Sequence, residues 1–436
     1  MSDAKVILWG SEIGAISWID EGEIGVFQYT PDFVNSKIEL APLMMPLQNH
    51  PYSFPALPKT TFKGLPGLLA DSLPDKFGNA VIDAWLASGG RTAESFNPVE
   101  RLCYIGKRGM GGLEFEPAYR EPYSKDKEIE IRKLVELSNL ILDQRAGQAG
   151  VFNGENDRES IEDILRVGTS AGGARAKAII AWNPATNEFR SGQLDTQSGF
   201  EHWIIKFDGV GNNRDKELND PQGYGKIEFT YSKLAAKAGI KMSECRLHHE
   251  GGRSHFMTRR FDRDSEGKKI HMQSLCAMVH VDFNVAGIYS YEEAIQTMKR
   301  LDLPQEDLEQ QVLRAMFNVV GCNHDDHVKN IAFLMDRDGS WHLSPAFDMS
   351  YAYNPGGEWT SQHQMSIHGK RKNINKEDLI SLAQLAGIKP GRATNMLERV
   401  VNSLKEWTEA AEESGVLQEH IGKIQSALQL PILEKD

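Results

Sequence analysis

Apolar and polar positions are patterned differently along the two ends of this chain. Residues 5–9 form a short apolar run and residues 27–29 another, with Gly10, Gly14 and an Asp20-Glu21-Gly22 turn punctuating the segment between. That is the pattern of hairpin-type β structure. Residues 46–66 are proline-rich and read as irregular. A helix is expected over 75–88, because Pro74 and Asp75 sit at its start, as such residues do at helix N-termini. Glycines crowd residues 100–117, and residues 125–145 are charged and helix-like. A loop at 147–156 and a short helix over 160–167 precede a Gly-rich turn at 168–173.

Beyond that turn, residues 176–182 and 203–207 read as strands, 229–238 as a helix, and 245–247 and 255–260 as strands around a Glu250-Gly251-Gly252 turn. After about residue 275 the chain becomes mostly helical. Leu308, Val312, Met316 and Val319 recur at three- and four-residue spacing, which is one helix face turned to a core. Residues 376–430 read as several amphipathic helices. The pattern predicts an α+β protein: an N-terminal β-containing domain over 1–120, a β-rich lobe with one helix over 121–275, and a mostly helical lobe over 276–436.

The chain has 436 residues, 40% of them hydrophobic, which suffices for two or three domains with their own cores. Its net charge of −12 argues against autonomous binding to duplex DNA, which calls for a basic stripe. The four cysteines, Cys103, Cys245, Cys276 and Cys322, are widely spaced and form no CxxC pair, as in a reducing cytoplasm. The N-terminus lacks an apolar signal core, and no apolar run nears the roughly 18 residues of a membrane span.

The chemistry concentrates in residues 318–348. Asp325 and Asn330 stand five apart before an apolar run, and Asp348 closes the next apolar segment. Protein kinases need this combination: an aspartate to receive the substrate hydroxyl, an asparagine on a metal ion, and a later aspartate on the metal. His324, His327 and His342 offer zinc ligands as an alternative, although carboxylate and amide oxygens suit magnesium better. Asp326 reads as a turn or solvated carboxylate, and His327 as a structural histidine.

Upstream, Gly168-Thr169-Ser170-Ala171-Gly172-Gly173-Ala174-Arg175-Ala176-Lys177 joins small residues to two cations. Such a turn lets backbone N–H groups approach phosphate, though on composition an ordinary tight turn before a strand is the readier reading. Lys206, inside an apolar strand, is either a phosphate-holding lysine or an edge lysine in solvent. Arg260 and Phe261 end a strand where a kinase hinge would meet adenine, although a plain charged strand end is the reading the sequence alone favours.

These elements run in kinase order, and Asn323-His324-Asp325-Asp326-His327-Val328-Lys329-Asn330 resembles the signature of the HipA family of serine/threonine kinases, toxins of bacterial toxin–antitoxin modules. Leu343-Ser344-Pro345-Ala346-Phe347-Asp348, Leu73-Pro74-Asp75-Lys76-Phe77-Gly78 and Arg259-Arg260-Phe261-Asp262-Arg263 are similar to three further family segments. The resemblance implies a two-lobed protein-kinase-like body behind a HipA-type N-terminal domain. It implies Asp325 as catalytic aspartate, Asn330 and Asp348 on magnesium, and Lys206, Gly172, Gly173, Ala174, Lys177, Arg260, Phe261 and His327 around ATP. It also implies Ser170 as an inhibitory autophosphorylation site, a protein substrate carrying Ser or Thr, and a small helix-turn-helix antitoxin that supplies DNA binding. Departures are Arg175 in the phosphate loop, Arg259 where Glu is common, and Met272-Gln273-Ser274-Leu275, which lacks the family's acidic residues. Competing readings are a small-molecule phosphotransferase and a non-enzymatic kinase-like protein acting with a DNA-binding partner.

Overall fold

The computed structural model describes residues 2–119, 129–145, 175–193, 198–210 and 223–434. Ser170, Gly172, Gly173 and Ala174 lie outside them, as do the loop expected at 147–156 and the short helix at 160–167. The chain divides into two compact units. One comprises Met1–Pro221, His248–Gln273 and Met335–Gly339; the other comprises Gln222–Leu247, Ser274–Leu334 and Ser340–Asp436.

The first unit carries two sheets. Strands β1 (Asp3–Leu8), β2 (Ser11–Ile19), β3 (Ile24–Tyr29) and β4 (Leu113–Glu116) form an antiparallel sheet in the order β3-β2-β1-β4. The glycine-punctuated stretch after β1 is itself a strand: β2 alternates buried Ile16 and Trp18 with more exposed neighbours. Strands β5 (Lys177–Asn183), β6 (Glu188–Ser191), β7 (Glu201–Lys206), β8 (Cys245–Glu250) and β9 (Arg253–Arg259) form the second sheet, ordered β6-β5-β7-β9-β8. Every residue of β5 from Lys177 to Trp182 is buried, which is why its sequence reads as a continuous apolar run.

Helix α1 (Lys76–Ser88) begins where expected, because the Asp75 carboxylate accepts the Gly78 N–H at 2.6 Å and caps it. Phe77, Val81, Ile82 and Leu86 of α1 pack with Leu134 and Val135 of α3 (Ile131–Arg145) against Ile180, Trp182, Trp203 and Ile205 of the second sheet. Between them in sequence, α2 (Pro98–Ile105) starts on a capping box of Asn97 and Glu100. Truncating the fully buried Trp203 to alanine would cost about 3–5 kcal/mol.

The second unit is mostly helical: α4 (Tyr224–Lys237), α5 (Tyr291–Arg300), α6 (Gln305–Val320), α7 (Lys376–Leu385), α8 (Pro390–Leu404), α9 (Trp407–Glu413) and α10 (Gln418–Ala427). Capping boxes of Ser290 with Glu293 and of Asn375 with Asp378 start α5 and α7. Leu308, Val312, Met316 and Val319 are buried on α6 as their spacing predicts, but so are Gln311, Arg314 and Asn318. A polar stripe is thus buried on the same helix. After Gly321, Cys322 takes a left-handed φ of 52° and turns the chain out of α6. The segment 322–327 is a loop, as the sequence suggests. It leads through a short 3₁₀ turn, Val328–Asn330, into strands β10 (Ala332–Met335) and β11 (Trp341–Leu343).

Candidate active site

The loop after α6 is fastened at several points within the second unit. Asn323 returns its backbone N–H to the Asn318 carbonyl at 2.9 Å, and its Nδ2 donates to Asn318 Oδ1 at 2.9 Å and to the Asp348 carbonyl at 3.4 Å. Asn330 Nδ2 donates to the backbone carbonyl of Asp325 at 2.8 Å. The asparagine therefore closes the loop that carries the aspartate, which explains their five-residue spacing locally. With its amide nitrogen so engaged, Asn330 offers Oδ1 to other groups.

The two adjacent aspartates face opposite environments. Asp326 is buried and accepts from Tyr291 Oη at 2.8 Å, His363 Nδ1 at 2.9 Å and the Gln364 N–H at 2.7 Å; Asn318 Nδ2 in turn donates to Tyr291 Oη at 2.9 Å. Burial would raise its pKa, but His363 and the converging donors outweigh this and hold it below the ordinary value. Asp326 is thus a loop anchor, not the turn or solvated carboxylate its sequence suggests. Asp325, in contrast, leaves 40% of its side chain exposed. Its Oδ1 accepts the Trp359 indole N–H at 2.7 Å and lies 3.8 Å from His327 Nε2.

The histidines do not converge on a zinc site. His324 is buried with Nδ1 3.0 Å from the Thr360 carbonyl, and burial, helped by nearby His363, pushes its pKa down to about 4. His342 lies 3.7 Å from Asp307. His327 packs on Phe283, ring centroids 5.3 Å apart, and its Nδ1 is buried with no hydrogen-bond partner among the described residues. Among the described residues no group of three or more His, Cys, Asp or Glu gathers in a metal-binding arrangement.

A small cavity of about 20 Å³ lies within the second unit, lined among others by Asp326, His327, Asn330 and Asp348 and by Gln311, Arg314 and Asn318 of α6. Asp348 borders it in a left-handed conformation, φ 52°, which is costly for a residue with a Cβ and concentrates at functional sites. Arg314 is buried and donates to the Ser344 carbonyl at 2.6 Å; burial lowers its pKa to about 9. Gln311, Arg314 and Asn318 did not stand out as site residues. Their signal was polar side chains at i, i+3 and i+7, interleaved with the apolar residues Val312, Leu313, Ala315, Met316 and Phe317.

The first unit holds the remaining described positions. Lys206 is buried on β7, which lies between β5 and β9 and is therefore not an edge strand. It stands opposite Lys177 on one side and Phe256 on the other, with Nζ 5.7 Å from the Phe256 ring. Lys177 Nζ lies 3.1 Å from Asp75 Oδ2, each side chain only 4% exposed. Arg260 makes two bonds to Asp262, 2.8 and 2.7 Å, and Asp262 also receives Arg263 and the Gly111 N–H, each at 2.8 Å. Phe261 is half-buried beside this cluster. The structure thus gathers Asp325, His327, Asn330 and Asp348 within the second unit. It places Lys177, Lys206, Arg260 and Phe261 in the first.

Two family models match the chain: the HipA N-terminal domain over residues 4–116 and the HipA-like C-terminal domain over residues 169–408. The chain belongs to the HipA family. The C-terminal match runs across Lys206, Asp325, Asn330 and Asp348, and the N-terminal match includes Asp75. Among solved structures, HipA of the Shewanella oneidensis MR-1 toxin–antitoxin system, in complex with HipB and operator DNA, is similar at 18% identity and a TM-score of 0.65. The alignment covers 97% of this chain and 94% of that one, so the HipA fold is shared along nearly the whole length. The Helicobacter pylori proinflammatory kinase CtkA is more distant, with 13% identity and a TM-score of 0.33 over 53% of this chain and 89% of that one. No curated protein matches the chain.

Proposed function

We propose that this HipA-family chain is an ATP- and magnesium-dependent serine/threonine protein kinase of the cytoplasm, a toxin held in check by an antitoxin. One observation carries the reading. Asp325 keeps a half-exposed carboxylate on a loop closed by Asn330, while Asp348, strained and left-handed, borders the same cavity as Asn330.

The donor set fits magnesium. Asn330 and Asp348 offer amide and carboxylate oxygens, the hard ligands that ion prefers, and the cavity between them has room for an occupant the size of a water molecule. Bound there, magnesium would neutralise phosphate charge. Asp325 orients the substrate hydroxyl and takes its proton as the oxygen bonds to the γ-phosphorus of ATP; the bond to the bridging oxygen breaks, and ADP leaves with that electron pair. Because such transition states are loose, positioning and charge neutralisation do most of the work. Lys206 supplies a cation for the phosphates, aided by the Gly-rich turn at 168–173.

Phosphorylation of Ser170 adds roughly −1.5 to −2 charge beside that phosphate-binding turn and so opposes ATP. Ser170→Asp is expected to weaken ATP affinity. The Shewanella relative was solved with HipB and operator DNA. With a net charge of −12, this chain suits the same division of labour, in which a small helix-turn-helix partner contacts the DNA. The test is incubation of the purified chain with magnesium-ATP and a cell extract, followed by mass spectrometry. Phosphoserine or phosphothreonine in proteins, including Ser170, that disappears when magnesium is chelated supports the reading. Transfer only to small molecules, or none, overturns it.

A further inference from the structure

Three consecutive residues of the Asp325 loop bind one neighbouring segment, 359–364. His324 Nδ1 lies 3.0 Å from the Thr360 carbonyl, Asp325 Oδ1 accepts the Trp359 indole N–H at 2.7 Å, and Asp326 accepts from His363 Nδ1 and the Gln364 N–H. The Gln364 side chain closes the segment on itself by donating to the Trp359 carbonyl. Trp359 is therefore held from both sides: its backbone through Gln364, which is fixed on buried Asp326, and its ring near His327, centroids 6.4 Å apart. His327 in turn packs on Phe283, over which Lys329 Nζ sits at 5.2 Å.

We propose that Trp359 is the positioning residue of the catalytic aspartate, a role that rests on the kinase reading above. A carboxylate has two oxygens, each with two lone pairs. The indole N–H occupies one lone pair of Oδ1 and fixes the rotation of the carboxylate, which leaves Oδ2 to meet a substrate hydroxyl. An indole N–H cannot titrate or accept a proton, so it orients the base without competing for the transferred proton. This is the logic of a catalytic base oriented by a third group. The anchoring of Asp326 then acquires a purpose: it ties the Trp359 segment to the loop whose carboxylate Trp359 aims.

Two measurements test this separately from the kinase reading. The first needs no turnover. The Trp359 indole proton, identified by its loss in Trp359→Phe, should resonate downfield in the wild-type spectrum and move upfield in Asp325→Ala. An unmoved resonance overturns the contact. The second is kinetic. A benzothiophene analogue at position 359 keeps the ring's shape but puts sulfur in place of N–H. It should lower kcat about 10- to 100-fold, the range expected when a reacting group loses its alignment, with the KM for ATP within about two-fold of wild type. Trp359→His, which restores an N–H, should recover part of the loss. A purely structural tryptophan would tolerate the analogue, so unchanged kcat overturns the role. If the wild-type chain transfers no phosphate at all, the kinase reading falls and the positioning role with it, while the indole resonance still reports the contact.

Discussion

Asp325 and Asp75 are both acidic residues of family motifs, yet one is 40% exposed and the other 4%. Asp75, in the first unit, faces Lys177 at 3.1 Å and caps α1, and Asp262, in the same unit, is buried between Arg260 and Arg263. Asp325, in the second unit, has no lysine or arginine paired with it among the described residues; His327 Nε2 lies 3.8 Å away, and it is steadied by a neutral indole N–H and by Asn330 on its own carbonyl. A buried carboxylate matched by a fixed cation is committed to structure, since removing either partner strands a charge in low dielectric. A carboxylate steadied by neutral donors and open to solvent remains able to take a proton. Under the proposed function, burial together with the kind of partner separates the anchors Asp75, Asp262 and Asp326 from the reagent Asp325.

Substitutions can sharpen this contrast. Apart from the catalytic aspartate itself, the largest effect is expected at Asp348: Asp348→Ala should lower phosphoryl transfer by about 100-fold or more, since a metal clamp supplies several kcal/mol to the transition state. Steady-state kinetics at saturating magnesium checks it, and wild-type turnover would remove Asp348 from the site. Next, Asp326→Ala should destabilise the fold by about 3 kcal/mol in urea unfolding, because Tyr291, His363 and the Gln364 N–H lose their shared acceptor. A neutral result would mean that Asp326 is no anchor. Asp75→Asn keeps an N-cap but strands the Lys177 ammonium, and should cost about 2–3 kcal/mol. Adding Lys177→Met should recover most of that loss. If the double variant is no better than the single, the pair is more than structural.

A further effect is with pH. Burial holds His202, His255, His280 and His324 at about 4 and His271 at about 3. A folded value below the unfolded value of about 6.5 means that the unfolded chain binds the extra protons. This stability is complete above pH 6.5 and is lost progressively as pH falls toward 4. Asp326, already held below the ordinary carboxylate value, adds its own loss only in stronger acid. The urea midpoint should therefore drop between pH 7 and 5, and less so in His324→Gln. A flat midpoint would contradict the buried neutral histidines.

The spacing of Asp325, Asn330 and Asp348, the α6 core face, the capped start of α1 and the apolar run of β5 were all legible, because each is a local pattern in the sequence. Strand β2 was hidden by Gly10 and Gly14, which punctuate it as a turn would. Nothing in Asp325-Asp326 says which carboxylate is buried; tertiary donors from Tyr291, His363 and Gln364 decide that. Trp359 lies 34 residues from Asp325 and Asp75 precedes Lys177 by about a hundred positions, so neither partnership leaves a trace in spacing. Lys206 looked equally like an edge lysine until the strand order put β9 beside it.

Most direct is a single-turnover measurement: γ-phosphoryl transfer from magnesium-ATP to a protein hydroxyl, followed for the wild-type chain and for Asp325→Asn at matched nucleotide occupancy. Loss of a positioned base should slow transfer by about 10²–10⁴-fold, while ATP affinity and the unfolding midpoint stay those of the wild type. Transfer by Asp325→Asn at the wild-type rate would contradict the account.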